Sequence, residues 1–382
     1  MPQCRQSSAV GRYRPVTGGF DCPLLMLDAI CRCLSRSKAD PGLEANGHLA
    51  NVGSDLSRQS VFPQLAHHRT YSMKTIAQYV QDGISTLPDL QDALQTAMQL
   101  EFATIPPYLC AEWSINSDPG SVGSMIHDIV VQEMFHFALA GNMLTAIGKA
   151  PSIANAAFVP RYPTNVLPGG IPQTLAVDLK PLSLDQLQVF MQIENPEFPP
   201  VALLAGPPPA TIGAFYDAIS TGFTVVNPPI IPNAPFVNMG EAVQIKTIAD
   251  AQAAITRIKT EGEGTQGSPD EPPADTSQFA HYYTFKEIFT GKTLVQNNGK
   301  WSFTGTPIQF PTVFAFTQST VSPDPSAAFN QAMSQLLTQL ETCWATGASP
   351  SIGAMFGLQS QGQQLIQQGI RPEFLWADPS GA

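Results

Sequence analysis

The spacing of apolar residues predicts helices over much of the chain after residue 73. One helix begins near Pro88 and repeats apolar side chains every three or four positions, and a second covers about Ser121 to Ile147. Pro106 and Pro107 are expected to kink or end the first helix, because each lacks a backbone donor. These two long helices predict the start of a helical bundle.

Shorter periodic segments follow, separated by a long Pro-rich stretch at residues 151–181. The pair Asn298 and Gly299 lies between two strand-like runs and favours the tight turn of a β-hairpin. The predicted fold is mainly α, with long Pro-rich loops, one small hairpin and extra C-terminal helices. The shorter helices are predicted near residues 183–195, 211–220, 250–262, 277–291, 327–345 and 352–368.

The composition is that of a globular protein, with 43% hydrophobic residues, 13% charged residues and 35 prolines among 382 residues. The net charge of −11 argues against nucleic acid or an anionic membrane as a partner, because both are negatively charged. No apolar run reaches the roughly 18 residues of a membrane span. We therefore expect neither nucleic-acid nor membrane binding.

Residues 1–72 differ from the remainder. They carry a net charge of +3 against −14 for residues 73–382, and they show no sustained periodicity. We predict that this segment is disordered or a non-native leader, with translation starting at Met73, and that residues 73–382 form one domain. That domain has only Cys110 and Cys343, which suits a reducing compartment and predicts a cytoplasmic protein.

Charged and imidazole side chains interrupt the apolar stripes of several helices. In "VVQEMFHFALAGNMLTAIG", residues 130–148, a glutamate and a histidine three positions apart share one helix face. Inward carboxylates and Glu-x-x-His pairs on separate helices of a bundle form dinuclear iron or manganese sites, in which the cations neutralise the buried carboxylates. The residues in this pattern are Glu101, Glu133 with His136, Glu261 or Glu263, and His281.

Several of these motifs resemble a known family. "LQTAMQLEFATIPPYL", "IVVQEMFHFALAGNMLTAIG", "TIGAFYDAI", "ITRIKTEGEG" and "FAHYYTFKEI" occur in the order seen in the ferritin-like domain of the iminophenyl-pyruvate dimer synthase family. The resemblance covers roughly residues 75–375. It implies a ferritin-like four-helix bundle core and oxidative coupling of an aromatic imino acid. It also implies metal ligands at Glu101, Glu133, His136, Glu263 and His281.

The chain departs from this pattern at two positions. Gln278 stands where a second Glu-x-x-His motif needs a glutamate, and Ala214 stands where a larger, often polar residue is expected. Either change could leave one metal position weak, so we expect one or two ions per chain. Helical spacing favours Glu261 as the inward carboxylate, whereas the "GEG" motif favours Glu263, which we choose as the ligand.

Other polar residues near these motifs are candidates for contacts with the ligands. Glu194 and Glu287 could orient a ligand histidine, although helix capping or a surface position is the alternative for Glu194. Tyr282 could donate a hydrogen bond to a metal-bound oxygen, with core packing as the alternative. Glu261 and Gln278 complete the residues predicted close to the ligands.

These features predict a metal-dependent oxidoreductase that activates O2 or peroxide and oxidises or couples a small organic substrate. Glu133 and His136 are the predicted catalytic residues, and iron or manganese is the predicted cofactor. Two alternatives from other classes stay open: metal storage without turnover, and a structural bundle whose site has decayed at Gln278 and Ala214. The sequence leaves the oligomeric state open.

Overall fold

A computed structural model describes residues 74–196, 211–240, 242–264, 269 and 279–379, apart from the side chains of Glu263 and Ile352. All of them belong to one compact unit, residues 65–382. The other unit, residues 1–64, lies outside the described residues, as does the whole segment predicted to be a leader.

Two long helices form one side of the bundle. Helix α1 (Ile76–Asp82) precedes α2 (Leu87–Trp113), and the short strand β1 (Ile115–Ser117) connects α2 to α3 (Val122–Ala146). Helices α2 and α3 pack along each other and run antiparallel. The Gln91 side chain donates to the Ile147 carbonyl near one end of the pair, and Glu112 contacts His127 near the other.

Helix α2 continues through its two prolines, so the alternative that they end it is wrong. Its start matches the sequence pattern, since the Thr86 side chain caps the first turn. Pro107 cannot donate to the carbonyl of Ala103, four residues earlier. The hydroxyl of Tyr162 donates to that oxygen instead, at 2.6 Å. A donor from outside the helix therefore replaces one missing backbone bond at the proline pair.

At the start of α3 the cap is Asp118 rather than Ser121. Its carboxylate accepts the backbone N–H groups of Val122 and Gly123, each at 2.8 Å. Ser121 has a left-handed backbone and makes no side-chain capping bond. The Asp118 carboxylate thus satisfies two of the free donors of the first turn.

Two pairs of shorter helices complete the bundle. One pair is α4 (Leu184–Ile193) and α5 (Ile212–Val226), and the other pair is α6 (Ile248–Glu263) and α7 (His281–Thr290). Helix α2 packs against α4 and α5, whereas α3 packs against α6 and α7. Across the bundle, α4 contacts α7 and α5 contacts α6. The bundle is thus interrupted between α4 and α5 and between α6 and α7, and polar residues lie at both interruptions.

Helix α7 begins four residues later than its pattern predicts. Ala280 has the extended backbone of an N-cap, and His281 is the first helical residue. Helix α7 therefore does not extend back from His281 through Ala280 and Phe279. Gln278 itself lies outside the described residues.

Small strand pairs and two more helices surround the bundle. The predicted hairpin is confirmed as β4 (Val295–Asn297) and β5 (Lys300–Ser302), with positive φ at Asn298 and Gly299. Two further antiparallel pairs were not predicted: β2 (Thr164–Leu167) with β3 (Ile171–Val177), and β1 with β6 (Thr312–Val313). Each has an irregular register, which weakens the alternating pattern that a sequence would show.

Helices α8 (Ala327–Thr346) and α9 (Ile352–Gln367) close the chain, as predicted. Helix α8 packs on α3, where the Trp344 indole N–H donates to Asn142 at 2.8 Å and its ring lies against Gly141. Helix α9 packs on α8 and α2. Among the helices of the described ranges, none combines the length and apolar character that crossing a bilayer requires.

Candidate metal centre

Five buried side chains meet near the interruptions between α4 and α5 and between α6 and α7. Each is at most 7% exposed. Their potential ligand atoms form two groups of three, within 4.8 Å of one another in each group, and one glutamate belongs to both. The first group is Glu101, Glu133 and His136; the second is Glu133, Glu194 and His281.

Helix geometry and helix ends place these residues. Glu101 lies on the buried face of α2, and Glu133 with His136 lie one turn apart on α3. Glu194 is the C-cap of α4, and His281 is the first residue of α7. The interruptions of α4–α5 and α6–α7 therefore bring two more side chains to the point that α2 and α3 share.

The two groups repeat one arrangement. His136 Nδ1 lies 3.6 Å from Glu101 Oε2, and the Tyr216 hydroxyl donates to the other oxygen of Glu101. In the second group, His281 Nδ1 lies 3.6 Å from Glu194 Oε2, and the Tyr108 hydroxyl donates to the other oxygen of Glu194. In each group a tyrosine thus occupies one carboxylate oxygen and leaves the other facing the histidine.

Glu133 lies between the groups. Its Oε1 is 2.8 Å from His281 Nδ1, and its Oε2 accepts a hydrogen bond from the Thr104 hydroxyl at 2.8 Å. The rings of His136 and His281 stack with centroids 5.6 Å apart. A carboxylate at this position is suited to bridge two cations, one in each group.

The outward nitrogen of each histidine has a partner of its own. His136 Nε2 is 2.8 Å from Glu261, whose other oxygen accepts from Arg257 Nε at 2.6 Å. His281 Nε2 is 2.9 Å from the amide oxygen of Gln132. With Nε2 as the donor in both rings, Nδ1 is left as a ligand nitrogen facing the carboxylates.

The donors fit divalent cations. His281 Nδ1 is fully buried and makes no hydrogen bond to any described residue, although Glu133 Oε1 is 2.8 Å away. Two donors that bind one cation at about 2.1 Å and at right angles lie about 3 Å apart. Imidazole nitrogen with carboxylate oxygen is a donor set that iron and manganese accept. The residues therefore fit a metal centre.

Protons partly balance the charges when no cation is bound. Burial raises the pKa of Glu133 to about 7, and the charges of Glu194 and Glu101 act in the same direction against His281. Burial lowers the pKa of His136, but hydrogen bonds to Glu101 and Glu261 outweigh it and raise the pKa to about 10. Divalent cations would displace these protons.

A cavity adjoins the first group. Its free volume is about 30 Å³, on the order of two water molecules, and it opens toward solvent. Glu101, Glu133, Glu194 and His136 lie in its wall, together with Tyr216 and Thr104. The remaining wall is mainly apolar, with one lysine: Leu100, Ile193, Ile212, Gly213, Ile258, Lys259 and Gly262. The cavity therefore connects the carboxylates of the first group with solvent.

The structure brings together four of the five predicted ligands, Glu101, Glu133, His136 and His281. The side chain of the fifth, Glu263, lies outside the described residues, whereas Glu261 contacts His136. The ligand set as a whole stays a prediction.

Of the residues predicted close to the ligands, Glu194 and Glu261 lie at the cluster. Two others lie elsewhere. The Glu287 carboxylate accepts the backbone N–H of Leu294 at 2.5 Å, and Tyr282 packs on Tyr283. Glu287 lies on a different part of α7 from His281, and it therefore contacts Leu294, the residue before the hairpin.

The sequence analysis missed five contributors: Thr104, Tyr108, Gln132, Tyr216 and Arg257. Tyr108 lies one turn after Thr104 on a buried helix, and this spacing was a usable signal. Tyr216 lies two residues after Ala214, where a larger polar residue was expected. Ala214 itself contributes a backbone N–H to the Thr211 cap, and the tyrosine supplies the polar group.

Comparisons with known proteins agree with this architecture. The sequence model of the Ferritin-like family matches residues 94–290, more than half of the chain. The fold is similar to the crystal structure of a ferritin-like protein from Caulobacter vibrioides, with a TM-score of 0.58 and 21% sequence identity over 76% of this chain and 99% of that one. The search of curated proteins gave no significant match. This chain belongs to the ferritin-like family.

Proposed function

We propose that this protein is a metal-dependent oxidase or oxygenase with a dinuclear site. Glu101 and His136 would hold one ion, Glu194 and His281 the other, and Glu133 would bridge them. The observation that carries the proposal is the pair of buried ligand groups that share one glutamate. When bound, iron or manganese would supply the redox chemistry that activates O2 or peroxide.

The surrounding side chains would set how the ligands bind. Tyr216 and Tyr108 each occupy one oxygen of a terminal carboxylate, so Glu101 and Glu194 would offer one oxygen each to metal. The Thr104 hydroxyl donates to Oε2 of Glu133 and would orient that carboxylate. Such bonds orient ligands and exclude alternative arrangements.

The apolar wall of the cavity favours a small organic substrate over storage alone, because storage needs no apolar surface beside the carboxylates. Its isoleucine and leucine side chains would contact an apolar group and keep water from it, and the Lys259 ammonium in the wall is paired with Asp217 at 2.6 Å. The motif resemblance adds a narrower proposal: an aromatic imino acid that is oxidatively coupled, as the name of the synthase family describes.

Metal analysis of the purified full-length protein tests the site. After supplementation with iron or manganese, we expect about two ions per chain in the native protein and less than half an ion in Glu133→Gln. Glu112→Gln is the matched control, because Glu112 also pairs with a histidine between α2 and α3 but lies outside both ligand groups. Native protein with less than half an ion would favour a decayed structural site.

Oxygen consumption then separates an enzyme from a store. The iron-loaded native protein should consume O2 continuously in the presence of an aromatic imino acid, whereas metal storage would give one burst in proportion to the iron added. Glu112→Gln should behave as native, and Glu133→Gln should be inactive. A burst unaffected by every organic substrate offered would contradict the oxidase proposal.

A further inference from the structure

The two halves of the cluster match in their inner contacts and differ in their outer ones. Each half has a terminal glutamate bonded to a tyrosine and a histidine whose Nδ1 faces inward. The outer partner of His136 Nε2 is the carboxylate of Glu261 at 2.8 Å, whereas that of His281 Nε2 is the neutral amide of Gln132 at 2.9 Å.

A charged acceptor affects a ligand imidazole more than a neutral one. Hydrogen bonds to an ionised group are roughly twice as strong as neutral ones. A carboxylate that accepts the N–H of an imidazole makes its opposite nitrogen a stronger donor to metal, and loss of such a partner typically costs 10- to 100-fold in metal affinity. An amide oxygen polarises the ring less.

Burial increases this contrast. Glu261 is 6% exposed and lies against the cluster, whereas Gln132 is half-buried. A hydrogen bond is stronger where water is excluded. The Arg257 guanidinium fixes the second oxygen of Glu261 at 2.6 Å, so the carboxylate is held in place to accept from His136. Gln132 also has its own interactions, but it brings no negative charge to His281.

Resting on the proposed dinuclear site, we infer that the two metal positions are unequal, and that Glu261 makes the Glu101–His136 position the tighter one. Glu261 and Gln132 are positioning residues in this account, since they act through the histidines. Cations would fill the His136 position first and the His281 position second. The expected difference in metal affinity follows from one difference in structure. The carboxylate of Glu261 contacts His136 at the place where the amide of Gln132 contacts His281.

Calorimetric titration of the metal-free full-length protein with Mn²⁺ at constant pH tests the inference. The native protein should bind two ions in steps whose dissociation constants differ by about 10-fold or more. Glu261→Gln should weaken the first step by about 10-fold and bring the two steps together. Gln132→Glu should tighten the second step by a similar factor, a gain that misfolding cannot produce.

Histidine variants assign the steps to positions. His281→Ala should lose the weak step and keep the tight one, whereas His136→Ala should lose the tight step. Glu112→Gln, the off-site control, should titrate as native. A circular dichroism melt of each variant excludes unfolding as the cause of a lost step.

The outcomes separate this inference from the proposed function. Two equivalents of Mn²⁺ bound with indistinguishable affinities would overturn the inequality and leave the dinuclear site intact. Complete loss of the first step in Glu261→Gln would overturn it too, since Glu261 would then be a ligand rather than an outer partner. Less than half an equivalent in the native protein would refute the metal site itself.

Discussion

Replacing Glu133 by glutamine should stabilise the metal-free protein at alkaline pH, although it removes the proposed bridging ligand. Glu133 is 3% exposed and lies near two other carboxylates in the cluster. Without a cation, its negative charge is disfavoured by burial and by Glu194 and Glu101. Glutamine has nearly the same shape, can still accept the Thr104 hydroxyl and carries no charge.

The pKa of Glu133 sets the magnitude. The pKa is about 7 in the folded chain, against the ordinary glutamate value of 4.5. Each unit of difference corresponds to about 1.4 kcal/mol, so the ionised glutamate lowers the free energy of unfolding by about 3 kcal/mol once it is fully charged. The neutral variant should recover most of that amount.

The sign fixes the pH window. Below about pH 4.5 the carboxyl group is protonated in both the folded and the unfolded chain, so it contributes nothing. Between about pH 4.5 and 7 the unfolded chain releases the proton while the folded chain retains it, and the native protein loses stability as pH rises. Above about pH 7 the penalty is complete.

Urea denaturation of chelator-treated protein, followed by circular dichroism, measures the effect. The denaturation midpoints of native protein and Glu133→Gln should nearly coincide at pH 5, and the variant midpoint should be higher at pH 8. Glu112→Gln should show no gain at pH 8. A variant that is equally or less stable than the native protein at pH 8 would refute the reasoning about the buried charge.

Three further predictions concern other parts of the molecule. Tyr162→Phe should lower the free energy of unfolding by about 1–3 kcal/mol, because the Ala103 carbonyl loses its donor beside the proline pair; an unchanged urea midpoint would contradict this. Glu112→Gln should lower the pKa of His127 in an NMR titration, because the hydrogen bond to Glu112 raises that pKa in the native protein. The stability that this pair contributes to the native protein is present below about pH 6.5 and is lost as the pH rises through the raised pKa of His127. In a thermal melt, Mn²⁺ at about 100 times the weaker dissociation constant should stabilise the native protein by at least about 5 kcal/mol, since each of the two sites contributes about 2.7 kcal/mol or more, and it should leave Glu133→Gln unchanged.

The sequence predicts the parts of this molecule that depend on local periodicity. The long helices carrying Glu101, Glu133 and His136 follow from their apolar stripes, and a glutamate and histidine one turn apart must share a face. The hairpin at Asn298 follows from turn geometry that few other residues adopt. The helical fold and its ferritin-like character are confirmed by the structure and the family match.

What local patterns could not predict depends on contacts between distant segments. Glu194 looks like a helix-capping residue and is one, but its place beside His281 follows from the packing of α4 on α7. Tyr216 reaches Glu101 only because α5 packs on α2. Helical phase favoured Glu261 as the inward residue, and its carboxylate contacts His136, yet helical phase alone does not distinguish a metal ligand from a partner of His136.

The most direct test of the account is the anomalous scattering of a crystal of the full-length protein grown with Mn²⁺ or Fe²⁺. The account predicts two peaks, one contacting Glu101 and His136 and the other contacting Glu194 and His281, with Glu133 between them. Data from Glu112→Gln crystals should show the same peaks. A map of the native protein with no peak at these side chains, or with metal bound only elsewhere on the molecule, would contradict the account.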